Sequence, residues 1–284
     1  MSLSIGSYNI LEPSLAVGWK TPEGISDEAK TLSSECLKGK YFSKTEDNWQ
    51  RYSNWNERKD KIARNIELAD IVCVQEASLA TCASLEPLLK THRLAIFAPH
   101  NKFQFPNLQY GNAIFYNSTK VVPFNPSVII YGEGRTRSAV SCCFNALGKT
   151  FKVVSVHLIG YNPSEPTLKN KSYGFEELKT YLNQVEKNTA WVSDVVIAGD
   201  MNEGLSESYC DYYRPGLLTK NKYRCDGCIV PTEPEKDRRI DWIFFKSLRK
   251  NCQPTLTPMG LENTQEVASD HLMTGTLLTY DAPA

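Results

Sequence analysis

The feature that most constrains this chain is a series of short apolar runs, rich in β-branched residues, that end on a carboxylate, an amide or an imidazole. Asn9 closes Leu3–Ile10, Glu76 follows Ile71–Gln75, and His157 follows Val153-Val154-Ser155-Val156. Asp200 and Asn202 follow Val195–Gly199, Asp241 lies within Ile240–Phe245, and Ser269-Asp270-His271 precedes Leu272–Leu278. Runs of this length and composition read as strands of a buried sheet. A single polar residue at a strand end is ordinarily a turn former. Six such ends in one chain point instead to loops that gather chemical groups at one place.

Two further runs, Ala113–Tyr116 and Ala139–Asn145, complete the expected strands. Helical periodicity appears between strands. Trp55, Lys59, Ile62, Ile66 and Ala69 recur at three- and four-residue steps, with Asn54 as the expected N-cap. Phe175, Leu178, Leu182 and Val185 predict a helix over Tyr173–Thr189, and Leu79–Leu89 predicts a third that Pro87 ends or kinks. Strands outnumber helices and the helices fall between them, which predicts packed sheets with helices outside. With no repeat, linker or change of composition, residues 1–284 read as one domain. The polar segment Glu12–Asn54 is either a functional excursion or partly disordered.

Lys+Arg and Asp+Glu number 32 each, so the net charge is zero and any attraction for nucleic acid must be local. The span Lys220–Lys250, with Lys220, Lys222, Arg224, Lys236, Arg238, Arg239, Lys246, Arg249 and Lys250, is either such a patch or a solvated face. The nine cysteines form no disulfide framework, and Cys73, Cys142 and Cys143 sit in apolar runs as small buried hydrophobes would. Cys225-x-x-Cys228 lacks the second ligand pair that structural zinc requires. The start MSLSIGSYNIL has neither the basic nor the long apolar region of a signal peptide, and no apolar run approaches the ~20 residues of a membrane span. The expectation is a cytoplasmic protein that does not enter a membrane.

Carboxylates, amides and imidazoles at strand ends suit phosphate-ester hydrolysis. Magnesium prefers hard oxygen ligands, the attacking water needs a base, and developing charge on phosphorus needs a cation or amide donors. No Gly-x-Ser-x-Gly elbow and no phosphate-cradling Gly-x-x-x-x-Gly-Lys-Ser/Thr loop competes. Ser7-Tyr8-Asn9-Ile10-Leu11, Val74-Gln75-Glu76, Gly111-Asn112-Ala113-Ile114-Phe115-Tyr116, Ser155-Val156-His157-Leu158, Gly199-Asp200-Met201-Asn202, Ile240-Asp241-Trp242-Ile243-Phe244 and Ser269-Asp270-His271-Leu272 stand in one order. That ordered series resembles the endonuclease/exonuclease/phosphatase superfamily, from Ser7 to Leu272. The resemblance implies a four-layer α/β sandwich, two packed mixed β-sheets flanked by helices.

It also implies roles. Glu76 would be the main ligand of Mg²⁺ (Mn²⁺ substituting), with Asn9 beside it and Asp270 in support. Asp200 would orient or deprotonate the attacking water, and Asn202 would hold the transition state. Asp241 would keep His271 protonated and aimed at the phosphate, which His157 would also contact. Asn112 would line the site, and Arg137 is either a phosphate-facing cation or a surface arginine. His92 and His100 match no motif and read as surface or loop residues.

The Tyr8-Asn9-Ile10-Leu11 opening, the Trp55-x-x-Arg58 stretch before the acidic strand and Ser206-x-x-Tyr209 resemble the nocturnin- and Angel-like deadenylase and 2′,5′-phosphodiesterase branch. Departures are Glu203-Gly204 in place of a Ser-x-Pro-type turn, Trp242 in place of tyrosine, and no leucine-rich-repeat domain before the catalytic one. The expected substrate is single-stranded RNA or an adenylate-type nucleotide, with Tyr209, Tyr212, Tyr213 and Tyr223 as candidate stacking platforms. DNA-repair action of the abasic-site or phosphotyrosyl-DNA type, and a non-enzymatic interaction module on the same fold, are the alternatives. Oligomeric state is not legible.

Overall fold

In the computed structural model the chain forms two β-sheets packed face to face. The structure describes residues 1–11, 13, 54–100, 110–131, 137–158, 191–202, 224–225, 232, 239–249, 253–261 and 264–281, with Tyr131 and Arg137 described for their backbone alone. The expected helix Tyr173–Thr189, nearly all of Glu12–Asn54, the four candidate tyrosines and Cys228 lie outside these residues.

In chain order the strands are β1 (Ser2–Asn9), β2 (Ile71–Ser78), β3 (His92–Pro99), β4 (Tyr110–Asn117), β5 (Val122–Tyr131), β6 (Arg137–Ala146), β7 (Lys149–His157), β8 (Asp194–Asp200), β9 (Asp241–Ser247), β10 (Thr255–Pro258) and β11 (Thr274–Thr279). One sheet has the order β10-β11-β1-β2-β4-β3, the other β5-β6-β7-β8-β9. Each contains a single parallel pair, β1–β2 in one and β7–β8 in the other, and every other pairing is antiparallel. β1 faces β8 and β2 faces β7 across the interface. The C-terminal ends of all four strands therefore open at one end of the sandwich, where open α/β sheets bind ligands.

Strand alternation builds the core. Leu3, Ile5, Ile71, Cys73 and Ile114 meet Val140, Cys142, Phe144, Phe151, Val153, Val196 and Phe245 between the sheets. The opposite face of the first sheet, with Tyr8, Val72, Val74 and Phe115, is covered by helix α1 (Trp55–Ile66) and helix α2 (Leu79–Leu85). The outer face of the second sheet, with Val154, Val156, Val195, Ile197 and Phe244, is buried as well. Both faces of the central strands that form the parallel pairs are thus withdrawn from water, the condition under which such pairs are found, while the edge strands β3, β5 and β10 stay partly exposed.

α2 stops where Pro87 enters, and a single 3₁₀ turn, Glu86–Leu88, follows. Asn54 occupies the N-cap of α1, but its side chain makes no capping bond. Cys73, Cys142 and Cys143 are buried free thiols, and Cys225 is also free. Three strands were not expected. β5 is an edge strand that tolerates Pro123 and Pro126, β3 is the opposite sheet's edge, and β10 has four residues. No described helix is long and apolar enough to cross a membrane.

Candidate active site

The parallel pairs deliver the site residues. Asn9 ends β1 opposite Gln75 of β2, so Glu76 lies one step beyond it. His157 ends β7 opposite Asp200, which ends β8 opposite Asp241 at the start of β9. Three neighbouring strands therefore present His157, Asp200 and Asp241 side by side. A Cβ at Gly199 would stand 1.9 Å from the Val156 carbonyl oxygen, so only glycine lets β8 approach β7 this closely beside Asp200.

Local backbone irregularity aims the groups. The β2–β4 register shifts between Val74 and Ala77, and within that bulge Glu76 has φ +54°. A bulge re-aims a side chain that a regular pleat would bury in the core. Asn202 likewise has φ +54° and Leu11 φ +49°. Left-handed backbone at three non-glycine residues around one site is a concentration of strain of the kind found at functional sites.

The residues then converge. Asn9 Nδ2 donates to Glu76 Oε1 at 3.1 Å and to Asp200 Oδ2 at 3.2 Å, joining the sheets at their open end. His157 Nε2 is 3.9 Å from Glu76 Oε1 and 3.7 Å from Asp200 Oδ2. His271 Nδ1 is 2.7 Å from Asp241 Oδ2, which leaves Nε2 4.0 Å from Asp200 Oδ2. Asn202 donates its backbone N–H to Asp200 Oδ1 at 2.7 Å and its side-chain amide to the Leu158 carbonyl at 2.8 Å. Ser269 Oγ donates to the Asn9 carbonyl at 2.8 Å and contacts Asp270 Oδ1 at 3.2 Å, bringing the last loop against β1.

Burial of so many acids has a cost that appears in their pKa values. Burial, with Asp270 and Asp200 nearby, raises Glu76 to about 8 against the pull of Asn9 and His271. Burial and the neighbouring Asp241 raise Asp200 to about 7, opposed by His271 and by hydrogen bonds from Asn202 and Asn9. Burial disfavours the imidazolium of His271, but Asp241, Asp200 and Asp270 together outweigh it and hold His271 well above its usual value. Glu76 Oε2 and Asp241 Oδ1 are buried and accept no hydrogen bond from any described residue. An unpaired buried carboxylate oxygen is expensive unless a cation joins it.

Asp200, Asp241 and His271 place ligand atoms within 4.8 Å of one another. In that triad the nearest oxygen of Asp241 is already committed to His271, so it is a charge pair with a neighbour rather than a ready coordination shell. The hard-oxygen alternative is Glu76, with one oxygen unpaired, Asn9 bonded to the other, and Asp270 close enough to raise its pKa. The residues present fit a hard divalent cation at Glu76.

Asn112 is fully buried and donates to the Ser138 carbonyl at 2.6 Å, tying β4 to β6, while Arg137 opens β6 at its backbone. Two histidines expected as surface or loop residues are both buried, His92 within β3 and His100 in the loop directly after it. His92 is 1% exposed and bonds the Ala69 carbonyl at 2.7 Å, a structural role. His100 is 3% exposed and its ring meets His157 edge-on at 5.8 Å, directly behind the site. Gln75 was also overlooked: it takes the Ser7 hydroxyl at 3.3 Å and donates to Ser155 Oγ at 3.0 Å, a polar bridge between the sheets below Glu76. Its signal was a glutamine inside an otherwise apolar strand.

Helix α1 holds the rim. Arg58, 3% exposed, donates to the carbonyls of Ala268, Ile10 and Leu11, the last at 2.9 Å, clasping the loop after Asn9 to the loop before Ser269. Each hydrogen bond from a charged group contributes roughly 1.5–3 kcal/mol. Arg58→Leu should therefore lower unfolding free energy by about 3 kcal/mol or more, read from the urea midpoint at unchanged m-value. A loss below about 1 kcal/mol would mean the clasp is not formed in solution.

The site gathers carboxylates, amides and imidazoles at one end of the sandwich, as a metal-dependent phosphoric ester hydrolase requires, the class to which the members of the family matched by this chain belong. The chain belongs to the endonuclease/exonuclease/phosphatase family, whose family model it matches over residues 48–271. No curated protein matches it in sequence. Among solved structures, the human nocturnin catalytic domain with bound sulfate is similar at TM-score 0.64 and 15% identity, over 99% of this chain and 94% of that one. A Bacteroides vulgatus endonuclease/exonuclease/phosphatase is similar at TM-score 0.63 and 15% identity, over 100% of both chains. D. rerio TDP2, complexed with single-strand DNA product, is similar at TM-score 0.59 and 15% identity, over 99% of both.

Proposed function

We propose that the chain, as a single catalytic domain over residues 1–284, is a magnesium-dependent phosphodiesterase acting on single-stranded RNA or an adenylate-type nucleotide. The observation that carries the hydrolytic reading is that Glu76, whose Oε2 is buried without a hydrogen bond from any described residue, is joined through Oε1 to Asn9, which also bonds Asp200. Magnesium, or manganese in its place, would be held by Glu76 with Asn9 and Asp270 and would neutralise charge on the phosphate oxygens. Asp200, lifted toward neutrality by burial, accepts the proton of the attacking water. Asn202 spends one amide proton on the Leu158 carbonyl and keeps the second for a phosphate oxygen. Asp241 fixes Nδ1 of His271, so the charged ring presents Nε2 to the phosphate, and His157 stands on the other side of Asp200.

The nucleotide reading rests on the branch-like motifs and on local charge. Among the described members of the basic span Arg224 and Arg249 are exposed, whereas Arg239 is 7% exposed and lies over Trp242 at 4.3 Å; Lys220, Lys222, Lys236, Arg238 and Lys250 lie outside the described residues. A net charge of zero leaves few cations in excess for phosphate contacts, which implies weak salt dependence. Binding of single-stranded RNA should fall with a log–log salt slope of about −0.7 per phosphate contact, hence about −1.4 for two. A slope steeper than about −4 would mean that a large basic groove has been overlooked.

A second reading, action on single-stranded DNA, is favoured by the likeness to TDP2 with its DNA product. A magnesium assay over single-stranded RNA and DNA with each 3′ base, 5′-phosphotyrosyl DNA, abasic duplex, 2′,5′-oligoadenylate, NADPH and sphingomyelin decides between them. Turnover of sphingomyelin with none on any nucleic acid or nucleotide would overturn the substrate class while leaving the hydrolytic site standing.

A further inference from the structure

We infer that Thr232 is a positioning residue for hydrolysis, setting both halves of the Asp241–His271 pair; this rests on the role given above to that pair. Thr232 is 3% exposed and stands outside every strand. Its Oγ1 accepts the backbone N–H of Ile240 and of Asp241, each at 3.1 Å. Its carbonyl accepts the backbone N–H of Leu272 at 2.7 Å, the residue directly after His271. One side chain and one carbonyl of a single residue thus tie the start of β9 to the loop that carries the imidazole.

The location makes the contact consequential. β9 is the last strand of its sheet, so β8 holds one side of the Ile240–Asp241 start, through Met201 N–H to the Ile240 carbonyl at 2.8 Å. Thr232 supplies the acceptor for the two N–H groups there. The hydroxyl oxygen has two lone pairs, and two amides use both. The distance at stake is the 2.7 Å between His271 Nδ1 and Asp241 Oδ2. Displacing an oriented catalytic group by about 1 Å can cost about 10²-fold in rate, and groups built on supporting hydrogen bonds lose their aim when the support goes.

The test compares Thr232→Val, which keeps the shape and removes the acceptor, with Thr232→Ser, which keeps the acceptor and removes the methyl. In proton NMR the His271 Nδ1–H held by Asp241 should give a downfield resonance, assigned by its loss in Asp241→Asn. The expected result is that the resonance persists in Thr232→Ser and is lost or moved upfield in Thr232→Val. Turnover of single-stranded RNA should follow it, with kcat at least about tenfold lower in Thr232→Val, KM within about threefold, and Thr232→Ser close to the parent. A purely structural threonine would lower the melting temperature in Thr232→Val yet leave the resonance and the kcat of the folded fraction unchanged, and that outcome overturns the proposal. Thr232→Ala carries the same comparison if Thr232→Val does not fold. The resonance needs no substrate, so its persistence in Thr232→Val counts against Thr232 alone, whereas absence of turnover in the parent counts against the RNA reading.

Discussion

Asp200→Asn should lower turnover by about 10²–10⁴-fold while leaving the folded chain as stable as the parent or more so. The two effects share one origin. Asp200 is 2% exposed, its closest hydrogen-bond donors are amides, and burial beside Asp241 holds its pKa near 7. An acid in that state is destabilising when charged, because the protein does not return what hydration supplied. Removing its charge relieves that cost. It also removes the group that can take a proton from water near neutral pH, so stability and activity move in opposite directions. Oδ1 still accepts from Asn202 N–H in the variant, which preserves the turn after β8, while the longer bond from Asn9 Nδ2 is given up because an amide nitrogen cannot accept it. Steady-state kinetics and a thermal melt on the same preparations test both halves. An Asp200→Asn protein with parental kcat would show that the base has been misassigned, and a large fall in melting temperature would show that the carboxylate holds the fold.

How much of this was legible beforehand depended on whether one residue type could report its own situation. The strand interiors were readable because Val195–Gly199 or Ile71–Gln75 has no other way to hide its side chains. The ends were readable because Glu76, Asp200 and Asp241 are groups that a core rejects unless they have work to do. β5 was not readable, since Pro123 and Pro126 argue against a strand and only its place at a sheet edge, beside β6 alone, permits them. The burial of His100 and His92, expected as surface or loop residues, was not readable because a histidine carries no local signal of burial. Their partners, the backbone of Ser138 and Ala69, lie far away in sequence. Thr232 is the same case in stronger form. Its hydroxyl meets residues eight and nine positions onward, its carbonyl meets Leu272, and nothing near it in the chain marks it. Motifs name the groups that do chemistry, whereas the groups that hold them are defined only by where the fold brings the backbone.

Chelation should abolish turnover, and magnesium or manganese should restore it, with a stability signature that depends on pH. On folding, Glu76 rises from an ordinary 4.5 to about 8 and Asp200 from 3.8 to about 7. In each interval the folded chain keeps a proton that the unfolded chain has released, so stability falls as pH rises. His271 is raised well above 6.5, so its contribution is complete below that value and is lost as pH climbs through the folded one. All three groups act in one direction: without a divalent cation the protein should melt lower at about pH 8 than at about pH 6. A cation that binds Glu76 competes with its proton, so binding strengthens as the proton leaves. Millimolar magnesium should therefore raise the melting temperature more at about pH 8 than at about pH 6, by the usual linkage of ligand to native state. Glu76→Gln should remove that increment, because the amide has no charge to offer, and should itself flatten the alkaline loss of stability. Differential scanning fluorimetry with EDTA, magnesium and manganese at the two pH values reads all of this without any substrate. Full turnover in excess chelator, together with melting temperatures that ignore magnesium at both pH values, would remove the metal from the mechanism and leave Glu76 as a buried acid without a function.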